Sequence, residues 1–208
     1  MTDADPETVR RGYDAIAATY AASRGDDPHE LLSSLLDQLP TEPRVLDAGC
    51  GSGQPVLDAL DTVGPAAGLD LSREQCRRAS QNVPAAAIVQ GELSALPFAD
   101  DFFDGLTAYH SLIHVPLTEH AIVIKEFARV LRPGRWLLVS EGSAEWSGSN
   151  PDWLDSGVEM HWSMAGPEAT RDQLRAAGFE IEREWVADDD LGDGDDASMS
   201  FFLARLSG

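Results

Sequence analysis

Val45-Leu46-Asp47-Ala48-Gly49-Cys50-Gly51-Ser52-Gly53 decides the fold. A short apolar run enters a glycine-rich turn, and a helix follows with Pro55 near its first turn. Such a turn is a nucleotide cradle, because glycines let the backbone approach a ligand and a helix N-terminus offers unpaired N–H groups. The spacing is Gly49-x-Gly51-x-Gly53, which leaves Gln54 where a dinucleotide fingerprint needs its third glycine. Asp70 ends the next apolar run, Ala66-Ala67-Gly68-Leu69, where a carboxylate can accept both hydroxyls of a ribose. That acid serves NAD as well as an adenosyl sulfonium, so it points to a ribose and not to a reaction.

Outward from this turn the chain alternates short buried strands with helices. Ser72-Arg73-Glu74-Gln75 reads as a capping box opening a helix, with the Gln75 side chain expected to return to the Ser72 N–H. Strands are expected over 87–90, 104–108 and 136–139, with a helix over 118–131 that Pro133-Gly134 stops. A further helix closes at Gly178, and residues 179–186 and 200–206 read as two strands with no helix between them. Upstream, a helix over 9–23 carries Tyr13, Ile16, Ala17 and Tyr20 on one face. A second starts from Asp27-Pro28-His29-Glu30, an N-cap with an N1 proline, and Pro40 ends it. The pattern predicts an α/β fold: a doubly wound, Rossmann-like, seven-stranded, mostly parallel sheet with an antiparallel last strand and helices on both faces. One domain over 1–208 is expected, with a helical cap over about 9–40 and a lid-like insertion over about 142–166.

The composition of the 208 residues narrows the partners. There are 36 Asp and Glu against 15 Lys and Arg, a formal net charge of -21, and Lys125 is the one lysine. A field of that sign repels phosphate backbones and anionic lipid heads, so neither nucleic acid nor a membrane surface is an expected partner. The acidity has two readings, adaptation to a salt-rich cytoplasm and a docking surface for a cationic partner. Cys50 and Cys76 make neither a disulfide framework nor a metal site. No apolar run reaches the length of a membrane span and the acidic N-terminus lacks the features of a signal peptide, so a cytoplasmic location is expected. The sequence leaves the oligomeric state open.

Several segments, in order, carry a family resemblance. Residues 45–53 resemble the first motif of class I S-adenosylmethionine-dependent methyltransferases, and Leu96-Pro97-Phe98-Ala99-Asp100-Asp101-Phe102-Phe103-Asp104 resembles the approach to that family's fourth strand. Phe127-Ala128-Arg129-Val130-Leu131-Arg132-Pro133-Gly134 is similar to the turn before its fifth. Tyr13-Asp14-x-Ile16-Ala17-x-x-Tyr20 is similar to an entry helix of the small-molecule, methyltransferase type 11-like branch. The resemblance implies S-adenosyl-L-methionine as cofactor and methyl transfer to a small-molecule acceptor by in-line displacement. It places Gly49 and Gly51 against the methionine part, with Asp47 supporting that loop and backbone at Tyr109 or His110 completing the pocket. Asp70 would hold the ribose, Leu71 and Leu93 would pack on the adenine, and Glu92 would meet its amino group. Tyr13 and Tyr20 would close over the cofactor. Glu92, where Asp is common, and Arg135, where a glycine is usual, depart from the pattern.

Other residues invite chemistry of their own. His110 and His114 follow the fourth strand and are the candidate catalytic or substrate-orienting groups, loop histidines bonded to backbone being the other reading. Their spacing of four lacks an intervening glutamate and a third ligand, so no metal is expected. Trp146, Trp153, His161 and Trp162 either line an acceptor pocket or bury their segment against the domain. Glu141 faces the pocket or is solvated. Cys50 beside a helix N-terminus is in a setting that lowers a thiol pKa, without a nucleophilic role in the family. Asp188, Asp189, Asp190, Asp193, Asp195 and Asp196 lack calcium-loop spacing and read as a solvated loop. Two rivals remain: a nicotinamide-dependent oxidoreductase, and a cofactor-binding regulatory protein without catalysis.

Overall fold

The computed structural model describes residues 3–23, 29–188 and 198–208. The expected N-cap at Asp27 and most of the acidic run over 187–197 lie outside these residues. Helices α1 (Pro6–Ser23) and α2 (His29–Leu36) precede β1 (Val45–Ala48), whose four residues are all buried. Burial on both faces is why the apolar residues Val45, Leu46 and Ala48 do not alternate with exposed polar ones, the acid Asp47 being buried as well. Then follow α3 (Val56–Asp61), β2 (Ala66–Asp70), α4 (Arg73–Asn82), β3 (Ala87–Gln90), β4 (Phe103–Ala108), α5 (Leu117–Val130) and β5 (Leu131–Gly142). Beyond β5 come β6 (Glu145–Asn150), β7 (Met160–Ala165), α6 (Gly166–Ala176), β8 (Phe179–Asp188) and β9 (Ser198–Leu206).

Seven strands form one sheet in the order β3-β2-β1-β4-β5-β9-β8. The first five are parallel, and β9 runs antiparallel to both β5 and β8. The expected reversed last strand is therefore present and lies one place in from the edge. β5 is longer than the expected 136–139, because its pairing with β9 continues from Trp136 opposite Arg205 to Gly142 opposite Met199. Alternate residues of the central strands supply the two faces. Leu106, Leu137 and Phe202 pack with Ile124 and Phe127 of α5, while Val45, Leu138, Phe201 and Leu203 pack with Leu32, Leu35, Leu57 and Leu60. The strand order reverses between β1 and β4, and a crevice opens there beyond their carboxyl ends.

The segment after β5 contains an antiparallel hairpin of β6 and β7 that was not foreseen. It packs on α1 through a small core of its own, in which Val9, Ile16, Trp153 and Met160 are buried and Tyr13, Tyr20 and Trp162 are partly buried. The chain ahead of α1 ties the same parts together. Asp3 accepts from the Leu117 N–H at 3.0 Å and from the Ser163 hydroxyl, and the Ala4 N–H donates to Ser163 Oγ at 2.7 Å.

Candidate active site

The glycine turn is held from below and from the side. Gly49 has φ +89°, and a Cβ there would collide with Ser111, whose hydroxyl donates to the Ala48 carbonyl at 2.7 Å. Gly51 also has a positive φ, and a Cβ built on it meets nothing within 4 Å. The first glycine thus fits the turn to the β4 loop, and the second leaves open space where a ligand can lie against backbone. The Gly51 N–H donates to Asp70 Oδ2 at 2.8 Å, and the Ser72 N–H donates to Oδ1 at 2.8 Å. The Asp70 carboxylate therefore links the end of β2, the glycine turn and the start of α4. Burial is the largest influence on it and raises its pKa from 3.8 to about 6, against the backbone N–H bonds of Ser72, Gly51 and Leu71 and with a contribution from Asp14. The carboxylate keeps capacity to accept a further hydrogen, so the group suits a neutral donor such as a sugar hydroxyl.

Helix α1 is latched to the same corner. Asp14 Oδ1 accepts from the Ser72 hydroxyl at 2.7 Å and from the Glu74 N–H at 3.1 Å, while Oδ2 pairs with Arg10 at 2.8 Å. Ser72 Oγ in turn accepts from the Gln75 N–H at 3.1 Å, the first half of the expected capping box. The second half is a correction. The Ser72 N–H belongs to Asp70, so the Gln75 side chain does not return to it.

A cleft opens over the turn. Its lining brings together the sequence candidates Tyr13, Tyr20, Gly49, Gly51, Asp70, Leu71, Glu92, Leu93, Tyr109, His110 and His114. Asp47 is not among them. It is 2% exposed and accepts from the Thr107 hydroxyl at 2.7 Å, so it braces the seam between β1 and β4 beneath the loop. Gln75, Ser94 and Glu119 also line the cleft and were missed as site residues. Gln75 was absorbed into the capping motif, and the other two carry no local signal.

On the upper wall, Tyr13 Oη lies 2.8 Å from His114 Nε2, and His114 Nδ1 lies 2.9 Å from the His161 carbonyl. A carbonyl only accepts, so Nδ1 carries the hydrogen, and in the neutral ring Nε2 accepts from the Tyr13 hydroxyl. Aromatic contacts extend this pair. Tyr13 meets Tyr20 at 5.1 Å and Trp153 at 5.8 Å, and His114 meets Trp162 at 5.7 Å between ring centroids. Trp153 and Trp162 stand behind the lining and bury the hairpin against α1, while Trp146 is 47% exposed. His110 has φ +49°, and its N–H donates to Ser140 Oγ at 2.6 Å.

Two further expectations are corrected. Glu141 neither faces the cleft nor meets solvent. It is fully buried, accepts from the Gly142 N–H at 2.8 Å and stands 3.4 Å from His120 Nδ1, because β5 runs on into the paired region beside α6. The Cys50 thiol is pushed well up, not down, by burial first and then by the Asp70 and Asp47 carboxylates. The Cys76 thiol is raised to about 11 by the same causes, burial and Asp70. Among the described residues no group of three or more His, Cys, Asp or Glu could hold a metal ion. No described helix is long and apolar enough to cross a membrane.

Residues 46–139 match the family model described as "Methyltransferase domain". An O-methyltransferase, resE, of Aspergillus sclerotiorum is 31% identical over 147 residues, covering 66% of this chain and 54% of that protein. The chain thus spans about half the length of that relative. The crystal structure of the [4+2]-cyclase SpnF superposes with a TM-score of 0.75 at 20% identity, covering 100% of this chain and 98% of that one. A SAM-dependent methyltransferase of Methanosarcina mazei gives 0.73 at 21% identity, covering 87% and 99%. At such identities the two structures speak for the fold alone. Through the methyltransferase domain matched over residues 46–139 and the strand order around its glycine turn, the chain is similar to the class I S-adenosylmethionine-dependent methyltransferases.

Proposed function

We propose that this protein transfers a methyl group from S-adenosylmethionine to a hydroxyl of an apolar small molecule. The cleft suits the cofactor by its donor set. Open backbone at Gly51 and the buried Asp70 carboxylate match an amino-acid and ribose pair, and Leu71 and Leu93 offer apolar faces beside Glu92. When bound, the cofactor supplies a methyl group already activated on a sulfonium, so the protein's own task is to orient the acceptor, exclude water and take up a proton.

The observation that carries the hydroxyl reading is the chain Tyr13 Oη–His114 Nε2, His114 Nδ1–His161 O in the wall of the cleft. A hydroxyl becomes a competent nucleophile as its proton leaves, and this chain is a place for that proton to go. Tyr13 Oη accepts the acceptor's proton while passing its own to His114 Nε2, and the imidazolium is stabilised through Nδ1–H by the His161 carbonyl. Tyr13 thereby acts on the acceptor side, beyond the cofactor-closing role expected of its helix. The name of the Aspergillus relative, an O-methyltransferase, supports the same atom class. The rings around Tyr13 and Tyr20 favour an apolar or aromatic acceptor over a charged polymer.

α1 and the β6–β7 hairpin serve in this reading as a cap and lid that keep water from the cleft. The net charge of -21 fits a cytoplasm rich in salt. The test is transfer of labelled methyl to a panel of phenols and alcohols matched with amines. Hydroxyl acceptors should turn over, and Tyr13→Phe and His114→Gln should lower kcat about 100-fold with the cofactor Kd unchanged. Preference for the amines, or undiminished turnover in both variants, would refute the proton chain.

A further inference from the structure

Beside the cleft two ionisable side chains face each other with a hydrogen missing between them. His120 of α5 and Glu141 of β5 are both fully buried, and His120 Nδ1 stands 3.4 Å from Glu141 Oε2. His120 Nε2 lies 3.0 Å from the Val115 carbonyl. A carbonyl only accepts, so Nε2 carries the hydrogen, and Nδ1 of a neutral ring turns a lone pair to the carboxylate. Nδ1 has no hydrogen-bond partner among the described residues. Glu141 Oε1 already takes the Gly142 N–H at 2.8 Å. Oε2 lies 3.3 Å from the Thr170 hydroxyl, whose single hydrogen has a nearer acceptor in the Gly166 carbonyl at 2.9 Å. Two buried acceptors would thus oppose each other, and the carboxylate would be a buried charge without a counter-charge.

One proton removes both faults. On Nδ1 it makes an imidazolium–carboxylate pair, and on Oε2 a carboxylic acid that donates to imidazole; either way the pair is neutral overall and the hydrogen lies between the two groups. The effect reaches the cleft through Val115, which lines it directly after His114. The Val115 N–H closes the short turn Leu112–His114 on the Leu112 carbonyl at 3.0 Å, and the Val115 carbonyl is the group His120 holds. Asp3, a second carboxylate within electrostatic reach of His120, binds the same end of α5 through the Leu117 N–H at 3.0 Å. We propose that His120 is a positioning residue for the proton chain. A proton shared with Glu141 fixes its ring, the Nε2–H fixes the Val115 carbonyl, and the turn so held presents His114 to Tyr13. The proposal rests on the reading of Tyr13 and His114 as the route for the acceptor's proton.

Nitrogen-15 spectra of the histidine rings in the ligand-free protein test it, together with kcat for methyl transfer to a hydroxyl acceptor and the cofactor Kd. In wild type, His120 Nδ1 should be protonated or hydrogen-bonded, and His114 Nε2 should show the bond from Tyr13. Glu141→Gln supplies the missing hydrogen covalently, since an amide can accept from Gly142 through its oxygen and donate to Nδ1 through its nitrogen. It should keep the His114 signal and most of kcat. Glu141→Met and His120→Phe should lose that signal and lower kcat about 10- to 100-fold with the cofactor Kd unchanged. Should either of these not fold, the wild-type spectrum and Glu141→Gln still decide. A bare Nδ1 lone pair in wild type would overturn the shared proton. A His114 signal unchanged in Glu141→Met, or a kcat as low in Glu141→Gln as in Glu141→Met, would overturn the positioning role and leave the pair a structural tie. Undiminished transfer in Tyr13→Phe and His114→Gln would overturn the proton chain instead, and the ring signals would still decide how the turn is held.

Discussion

Acidification should loosen the ligand through Asp70 before it disturbs the fold. The carboxylate lines the cleft, and burial lifts its pKa to about 6. A ribose hydroxyl donates to the ionised form, so ligand binding draws the proton off. If only that form binds, affinity falls by 1 + 10^(pKa − pH), about 11-fold at about pH 5 and a few per cent at about pH 7.5. The empty protein behaves oppositely. Its Asp70 pKa is raised above the unfolded value, so this group's contribution to stability is fully present below about pH 3.8 and is lost as pH rises through about 6. The span is at most about 3 kcal/mol, reduced by the water that reaches the carboxylate from the cleft. Calorimetric titration of S-adenosylhomocysteine in two buffers of different ionisation enthalpy should show proton release near about pH 6. His110, His114, Glu92 and Glu119 also line the cleft. Asp70→Ala keeps them all, so its weaker binding should vary little with pH. Wild-type affinity that stays flat down to about pH 5, or a full pH slope surviving in Asp70→Ala, would refute the reasoning.

Asp14→Ala should cost about 1–2 kcal/mol in denaturant unfolding, because it removes a cap-like acceptor for the Ser72 hydroxyl and the Glu74 N–H; an unchanged midpoint would mean that α1 is held by its apolar contacts alone. Hydrogen exchange should slow in α1 and the β6–β7 hairpin when S-adenosylhomocysteine is added, and exchange already slow without ligand would mean fixed packing and no lid. The midpoint of thermal unfolding should rise from low to molar salt if the acidic surface is a salt adaptation, while a maximum at low salt would favour a cationic partner.

The parts of the fold legible in the sequence were those whose cause is local. The apolar run at 45–48, the glycines after it and the acid at 70 each announce themselves within a few residues, and the alternation of elements gave the sheet with its reversed β9. The hairpin was not legible. β6 reads Glu-Trp-Ser-Gly-Ser-Asn, with little strand propensity, and it is held by pairing with β7, which in turn packs on α1 more than 100 residues away. The site divides in the same way. Glycine and acid positions could be read from motif spacing, whereas the tautomer of His114 depends on a carbonyl at His161 and a hydroxyl at Tyr13. Gln75 shows how a local motif misleads: its capping signal was correct for the helix start, but the Asp70 carboxylate outcompeted its side chain for the Ser72 N–H. Glu141 was misread because four apolar residues marked only the middle of a twelve-residue strand.

The central claim is that this cleft takes an adenosyl amino acid through Asp70 and the Gly51 turn. Parallel calorimetric titrations of S-adenosylhomocysteine and NAD at about pH 7.5 test it most directly. One saturable site for S-adenosylhomocysteine is expected, weakened about 10- to 100-fold in Asp70→Ala, with no measurable heat from NAD. Binding of NAD in preference, or S-adenosylhomocysteine affinity indifferent to loss of Asp70 in a folded variant, would contradict it.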